Sequence, residues 1–181
     1  HNYLKEFAGK LSALNRTSAE RREKVSLAAM AEGVLTELSP RFGEHIRVST
    51  KWPKQALDVD VAPDDLKQIV REVCLNSIES MGERGELRVW SDTADLAPGP
   101  GEAGRPQRPG GRYVRLCIED TGPGMTPEVR RRAFEPYFTT KAKTNAEGYR
   151  AGRGFPLVYG LLRQYDGWVD LKSESGRTTR V

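Results

Sequence analysis

The stretch from Pro63 to about Met81 constrains the fold more than any other part of this 181-residue chain. Leu66, Ile69, Val70, Val73, Ser77 and Met81 recur at helical spacing and share one face. Pro63 followed by Asp64 and Asp65 suits a helix start, where the missing amide partner costs nothing and anions meet the positive end of the dipole. Glu72, Asn76 and Glu79 sit at offsets of four and three on the opposite side. Such a helix must bury one face on a second layer. Its compact polar trio suits the wall of a ligand cleft, although a solvated helix face shows the same residues more often.

The neighbouring segments supply that second layer. Leu27, Met30, Ala31, Val34, Leu35 and Leu38 predict an amphipathic helix ending near Pro40. Ile46, Val48, Thr50 and Trp52 alternate as a strand does, and so do Leu57, Val59 and Val61. Residues 87–90 and the series Val114, Leu116, Ile118 predict further strands, the latter running straight into Asp120. Thr126, Pro127 and Glu128 predict a short helix ending near Phe134. Pro156 opens a last helix with Val158, Leu161, Leu162 and Tyr165 on its core face, closed by Gly167, and 168–172 reads as the final strand. The expected fold is α+β: a two-layer α/β sandwich with a mixed sheet of about five strands on about three helices.

Other stretches are punctuation. Thr17 and Glu20 fit a capping box, and Arg21 to Lys24 reads as charged and solvated. Residues 97–111, dense in Pro and Gly, read as a flexible hairpin excursion, and 139–153 as a mobile basic loop. Leu4, Phe7, Leu11 and Leu14 form a narrow stripe that expects a partner helix or a place on its own domain. The expected division is a 1–20 tail followed by one domain over 21–181.

Lys and Arg number 29 against 25 Asp and Glu, a net charge of +4 that is too mild to argue for nucleic acid. No apolar run reaches bilayer-spanning length and no signal peptide is visible. Cys74 and Cys117 lie in apolar segments without CxxC spacing, which points to reduced core thiols and a cytoplasmic setting.

Three segments carry chemistry. In Asp120-Thr121-Gly122-Pro123-Gly124-Met125, a carboxylate at a strand end precedes a tight turn in which glycines admit a close ligand. The carboxylate can accept a hydrogen bond from an exocyclic amine such as that of adenine. Gly152-Arg153-Gly154-Phe155-Pro156 precedes a helix and is a ready phosphate cradle. Asn76 offers a side-chain oxygen of the kind Mg²⁺ accepts beside phosphates, and Glu72 one turn earlier can polarise an attacking group. Each has an ordinary structural reading as a turn, a basic loop or an exposed helix face.

Their order and wording together resemble the ATP-binding catalytic domain of sensor histidine kinases, in the histidine kinase and Hsp90-like ATPase superfamily. Glu72 to Met81 resembles the N box, Asp120 to Met125 the G1 box, and Phe134-Glu135-Pro136-Tyr137-Phe138-Thr139-Thr140-Lys141 the F box. Gly152 through Gly160 resembles the G2 box, and Ser173 to Thr179 the last glycine-threonine box. The resemblance covers residues 27–181 and implies a Bergerat-type ATP-binding fold. It implies that Asn76 holds Mg²⁺, that Glu72 assists transfer, and that Asp120 with Gly122 and Gly124 binds the adenine. Glu79, Phe138, Thr140, Lys141, Gly152, Arg153 and Gly154 would border the nucleotide, with Lys141 opening the lid, and Thr178 or Thr179 would sit near the base. It further implies ATP γ-phosphoryl transfer to a histidine on dimerisation helices, then to a response-regulator aspartate.

The pattern departs in places. Arg150 occupies the first glycine position of the G2 box, Arg153 and Phe155 take Leu-like positions, and Pro156 replaces a serine. Gly176-Arg177-Thr178 is one glycine short. His1 and His45 are the only histidines, and neither has the context of a phosphoacceptor, so that group is expected outside this chain. The competing readings are a nucleotide-responsive pseudokinase, a phosphorelay docking module and a serine-directed anti-sigma-factor kinase. No direct membrane contact is expected of this fragment.

Overall fold

The computed structural model describes residues 22–99, 108–135, 138 and 154–181. In chain order these form β1 (Glu23–Ser26), α1 (Leu27–Leu38), a 3-10 turn (Ser39–Arg41), β2 (His45–Lys51), β3 (Asp58–Val61), α2 (Pro63–Met81), β4 (Arg84–Leu96), β5 (Gly111–Asp120), α3 (Pro127–Arg132), α4 (Gly154–Arg163), β6 (Lys172–Glu174) and β7 (Thr178–Arg180). The main sheet has the order β2-β4-β5-β7-β6, with β2 parallel to β4 and the other pairs antiparallel. β1 and β3 pair separately as an antiparallel ribbon. Val181 closes the sheet against Ile118 through reciprocal backbone bonds of 3.0 and 2.9 Å.

Side-chain parity decides which face of the sheet is buried. Leu87, Val89 and Ser91 of β4 and Ile118 and Asp120 of β5 point inward. Arg88, Glu119, Asp92 and Arg115 alternate outward, where Arg88 meets Glu86 at 2.8 Å and Arg115 meets Asp92 at 2.7 Å. A one-residue slip would exchange these sets, so the charged face and the apolar face fix the register together. The ion pairs are exposed and add little stability. The core lies between the inner sheet face and the helices, built from Leu27, Val34 and Leu38 of α1, Val70 and Val73 of α2, Leu87, Val89 and Ile118 of the sheet, and Val158 and Leu161 of α4.

α2 and α4 run antiparallel and meet at both ends. Gly154, at the start of α4, lies against Asn76 of α2. Beyond the other end of α4, the Tyr165 hydroxyl donates to Asp65 Oδ2 at 2.5 Å and accepts from the Ala62 amide at 3.3 Å. Ala62 has no capping side chain of its own, so Tyr165 supplies part of the cap for α2. Burial pushes the Tyr165 phenol up to about 12. The Arg22 guanidinium lies 4.8 Å over the same ring and donates to the Gln164 carbonyl at 2.8 Å.

The two-layer α+β sandwich expected from the sequence is present, with several strands assigned differently. Residues 58–61 join β1 rather than the main sheet, and 23–26, of which Glu23 and Lys24 were expected to be solvated, supply their partner. Ser26 caps α1 by accepting from the Ala29 amide at 3.4 Å; Thr17 and Glu20 lie outside the described residues. The final strand is not 168–172. Val169 packs against the core in irregular chain, and the Ser173–Thr179 segment itself forms the β6–β7 hairpin around Gly176 at φ 82. α4 already includes Gly154, and its end is turned by Asp166 at φ 51, with the Gly167 amide donating to Leu162 at 2.9 Å. The described residues form four α-helices, one at each of the four described segments where the sequence predicts one.

Cys74 is buried in α2 and its thiol is pushed up to about 12 by burial; Cys117 faces the outer side of the sheet, half-buried, rather than the core. Both are free. His45 is exposed and opens β2. No described helix is long and apolar enough to cross a membrane. The leucine stripe of 1–15 and the centre of the 97–111 excursion lie outside the described residues.

Replacing Tyr165 with Phe keeps the ring and removes two hydrogen bonds. The expected loss is about 1–2 kcal/mol, read as a lower urea midpoint at unchanged slope.

Candidate functional site

Asp120 ends β5, flanked by Leu87 of β4 and Thr179 of β7, and is 2% exposed. A buried carboxylate needs hydrogen-bond donors, and the sequence places them next to it. Its Oδ1 accepts from the Gly122 amide at 2.9 Å. The Ser80 hydroxyl lies 3.3 Å from the same oxygen and 2.9 Å from the Ser77 carbonyl. Burial raises the Asp120 carboxyl above its ordinary value, opposed by the Gly122 amide and the Ser77 and Ser80 hydroxyls.

The turn after Asp120 is fitted closely. A Cβ on Gly122 would stand 2.6 Å from Ser80 Oγ and 2.8 Å from Asp120 Oδ1. Gly124 has φ 66, and a Cβ there would run into the Glu174 carbonyl. The turn is tied to β4 by the Thr121 amide on the Glu86 carbonyl at 3.2 Å and the Glu86 amide on Thr121 Oγ1 at 2.9 Å. It is tied to the β6–β7 hairpin by the Gly176 amide on the Pro123 carbonyl at 2.7 Å and the Met125 amide on Ser173 Oγ at 2.8 Å. Thr126 then caps α3, accepting from the Val129 amide at 3.3 Å.

Asn76 precedes Ser77 on α2, and its side chain faces Gly154 at the start of α4. Its Nδ2 is fully buried and has no hydrogen-bond partner among the described residues. A buried polar atom in this state calls for a partner such as a water, an ion or a ligand. No partner fixes which way the amide points, so its oxygen can occupy the same position. A Cβ on Gly154 would come within 2.8 Å of that amide, so any larger residue there would push the Asn76 side chain aside. Glu72 is half-buried one turn earlier, and Glu79 is exposed.

Of the residues singled out from the sequence, Asn76, Asp120, Gly122, Gly124, Gly154, Thr178 and Thr179 gather at this end of the fold. Phe138 is half-buried under the Arg132 guanidinium, 4.2 Å away, on the α3 side. Phe134 anchors that side to α4, with ring centroids 5.4 Å from Phe155 and 6.2 Å from Tyr159. Thr140, Lys141, Gly152 and Arg153 lie outside the described residues. Ser77, Ser80 and Ser173 were not singled out. Ser77 could have been: a lone hydroxyl inside an apolar stripe must find a buried partner. Ser173 was hidden because its strand went unrecognised.

A sandwich whose glycine-lined turns leave a buried carboxylate and an unpartnered amide between sheet and helices has polar groups of the kind that orient a small ligand. Residues 61–181 match the family described as histidine kinase-, DNA gyrase B- and HSP90-like ATPase, and the chain belongs to that family. It is 27% identical over 169 residues to the sensor kinase CckA of Brucella abortus, covering 93% of this chain and 17% of that protein. It is 26% identical over 163 residues to the sensory histidine kinase/phosphatase NtrB of Rhizobium meliloti, covering 87% of this chain and 40% of that protein. The chain thus spans well under half the length of these curated relatives. Among solved structures, full-length ShkA in complex with AMPPNP superimposes with a TM-score of 0.65 at 22% identity, over 88% of this chain and 29% of that one. The mycobacterial sensor histidine kinase MprB gives 0.65 at 18%, over 88% and 94%. These likenesses establish a shared fold.

The raised Asp120 carboxyl has a signed consequence. Between its ordinary 3.8 and the raised value, the folded state binds more protons than the unfolded chain, so this group lowers stability as pH rises. Asp120→Asn, which resembles the neutral form, should gain stability relative to wild type as pH rises above 3.8 and level off once the folded-state carboxyl has ionised. Urea midpoints across that range test it; a constant difference would contradict the assignment.

Proposed function

We propose that this chain is the ATP-binding catalytic domain of a two-component sensor histidine kinase. It serves transfer of the ATP γ-phosphoryl group to a histidine outside this chain, for relay to a response-regulator aspartate. Asp120 carries the reading. Its carboxylate is buried, held on one side by the Gly122 amide and Ser80, and retains acceptor capacity for an exocyclic amine. Membership of the ATPase family and the similarity to sensor kinases support the class of reaction.

The residues divide the work. Asp120 would accept from the adenine amine, with Gly122 and Gly124 shaping the turn and Thr178 or Thr179 beside the base. The Asn76 amide fits the group: its side-chain oxygen would hold Mg²⁺, with Glu79 on the same helix bordering the phosphates. Glu72 would accept the proton of the attacking nucleophile or orient it. When bound, Mg·ATP supplies the transferable phosphoryl group and the cation that offsets its charge. Thr140, Lys141, Gly152 and Arg153 would belong to the lid, with Gly154 at its hinge and Phe138 at its other edge. Residues 1–20 would be the tail of the dimerisation hairpin, and the setting cytoplasmic. The helical dimer and the receiver domain are the partners. Arg150 in place of a G2 glycine favours a second reading, a nucleotide-responsive pseudokinase.

Calorimetric titration with a non-hydrolysable ATP analogue, with and without Mg²⁺, tests the site. Saturable binding should weaken at least about tenfold in Asp120→Ala, and the Mg²⁺ dependence should disappear in Asn76→Ala. No binding at millimolar nucleotide would overturn the reading. Phosphotransfer to a separately supplied histidine-bearing helical dimer then separates kinase from pseudokinase: no transfer by a chain that binds Mg·ATP supports the latter.

A further inference from the structure

Ser173 stands in β6 with three polar neighbours. The Met125 amide donates to its Oγ at 2.8 Å, and the same Oγ lies 3.0 Å from the Thr178 carbonyl and 2.9 Å from Thr179 Oγ1. A hydroxyl has one hydrogen and two lone pairs. The Thr178 carbonyl accepts only, so the Ser173 hydrogen goes there. The Met125 amide takes one lone pair. The contact with Thr179 must then run from the Thr179 hydroxyl to the last lone pair of Ser173. Thr179 is left with lone pairs and no hydrogen to offer elsewhere.

Thr179 is paired with Asp120 across β5 and β7, and the two are 5% and 2% exposed. Residues paired in this way on one sheet face hold their Cβ atoms about 4.5–5.5 Å apart. The ionised Asp120 carboxylate has about four acceptor sites, and Gly122, Ser80 and Ser77 occupy no more than three of them. The Asp120–Thr179 edge therefore offers acceptors only. An amino group has two hydrogens to share between two acceptors. A carbonyl at the same position finds no donor and is repelled by both oxygens.

We propose that Ser173 is a positioning residue: by fixing the direction of the Thr179 hydroxyl proton, it makes the Asp120–Thr179 edge a reader of amino-substituted bases against carbonyl-substituted ones. The inference rests on the nucleotide-site reading above. Without Ser173, the Thr179 hydroxyl is free to turn and donate to a carbonyl.

The test titrates the whole chain and its variants with non-hydrolysable analogues of ATP and of inosine triphosphate, which differ by amine against carbonyl. Wild type should prefer the adenine analogue. Ser173→Ala should narrow that preference about tenfold, the worth of one hydrogen bond, and Ser173→Thr should restore it. A purely structural role would weaken both nucleotides by one factor and leave the ratio unchanged, and that result overturns the proposal. Thr179→Val, which keeps the shape and removes the hydroxyl, gives a second reading if Ser173→Ala fails to fold: a ratio equal to wild type again overturns it. Binding by wild type with no preference overturns the Ser173 role alone, whereas no adenine-nucleotide binding by wild type overturns both it and the site reading.

Discussion

A carboxylate almost wholly withdrawn from water is a costly group, and much of the architecture around it consists of the donors that make Asp120 tolerable. The glycine at position 122 brings a backbone amide to Oδ1, and α2 contributes Ser80 and Ser77. These donors offset the desolvation only partly, which is why burial still raises the group. The remaining deficit is a reason for the site to welcome a further donor from outside. Apo stability and ligand affinity thus oppose one another at a single side chain.

α2 is the element that links this carboxylate to the rest of the molecule. Its apolar face fills the core, its serines address Asp120, and its Asn76 meets the start of α4. α4 is held to it by the Tyr165 hydroxyl on Asp65 and Ala62, and at its other end Gly154 leaves room for Asn76. A helix tied in this way cannot slide along its neighbour without breaking those hydrogen bonds. Rigid supports of this kind are what a site needs if its polar groups are to keep their places.

Much of this was legible in the sequence, for identifiable reasons. The helices over 27–38 and 63–81 announce themselves because a 3.6-residue stripe survives even where Ser77 interrupts it. Asp120, Gly122 and Gly124 are readable because of their order and spacing with the other motifs; alone, the same residues would make an ordinary turn. The C-terminal hairpin was not readable: three-residue strands carry too little alternation to be seen, and Val169 drew the expected strand toward itself. The ribbon of 23–26 with 58–61 was missed for a similar reason, since Glu23 and Lys24 look like solvated chain until a partner strand is known. Ser80 and Ser173 could not have been assigned, because what gives them meaning is a neighbour 40 or 48 residues away.

The closing of the sheet by Val181 on Ile118, and of the Asp120 turn by the hairpin before it, sets an order of events during synthesis. The helices and the β4–β5 hairpin can assemble while the ribosome is still at work, since domains condense from the N-terminal side as chain emerges. The wall formed by Ser173, Gly176 and Thr179 comes later. A nascent chain therefore carries the carboxylate and its turn for some time without the strand that encloses them, and the pocket comes into being only once residues 173–181 have left the exit tunnel.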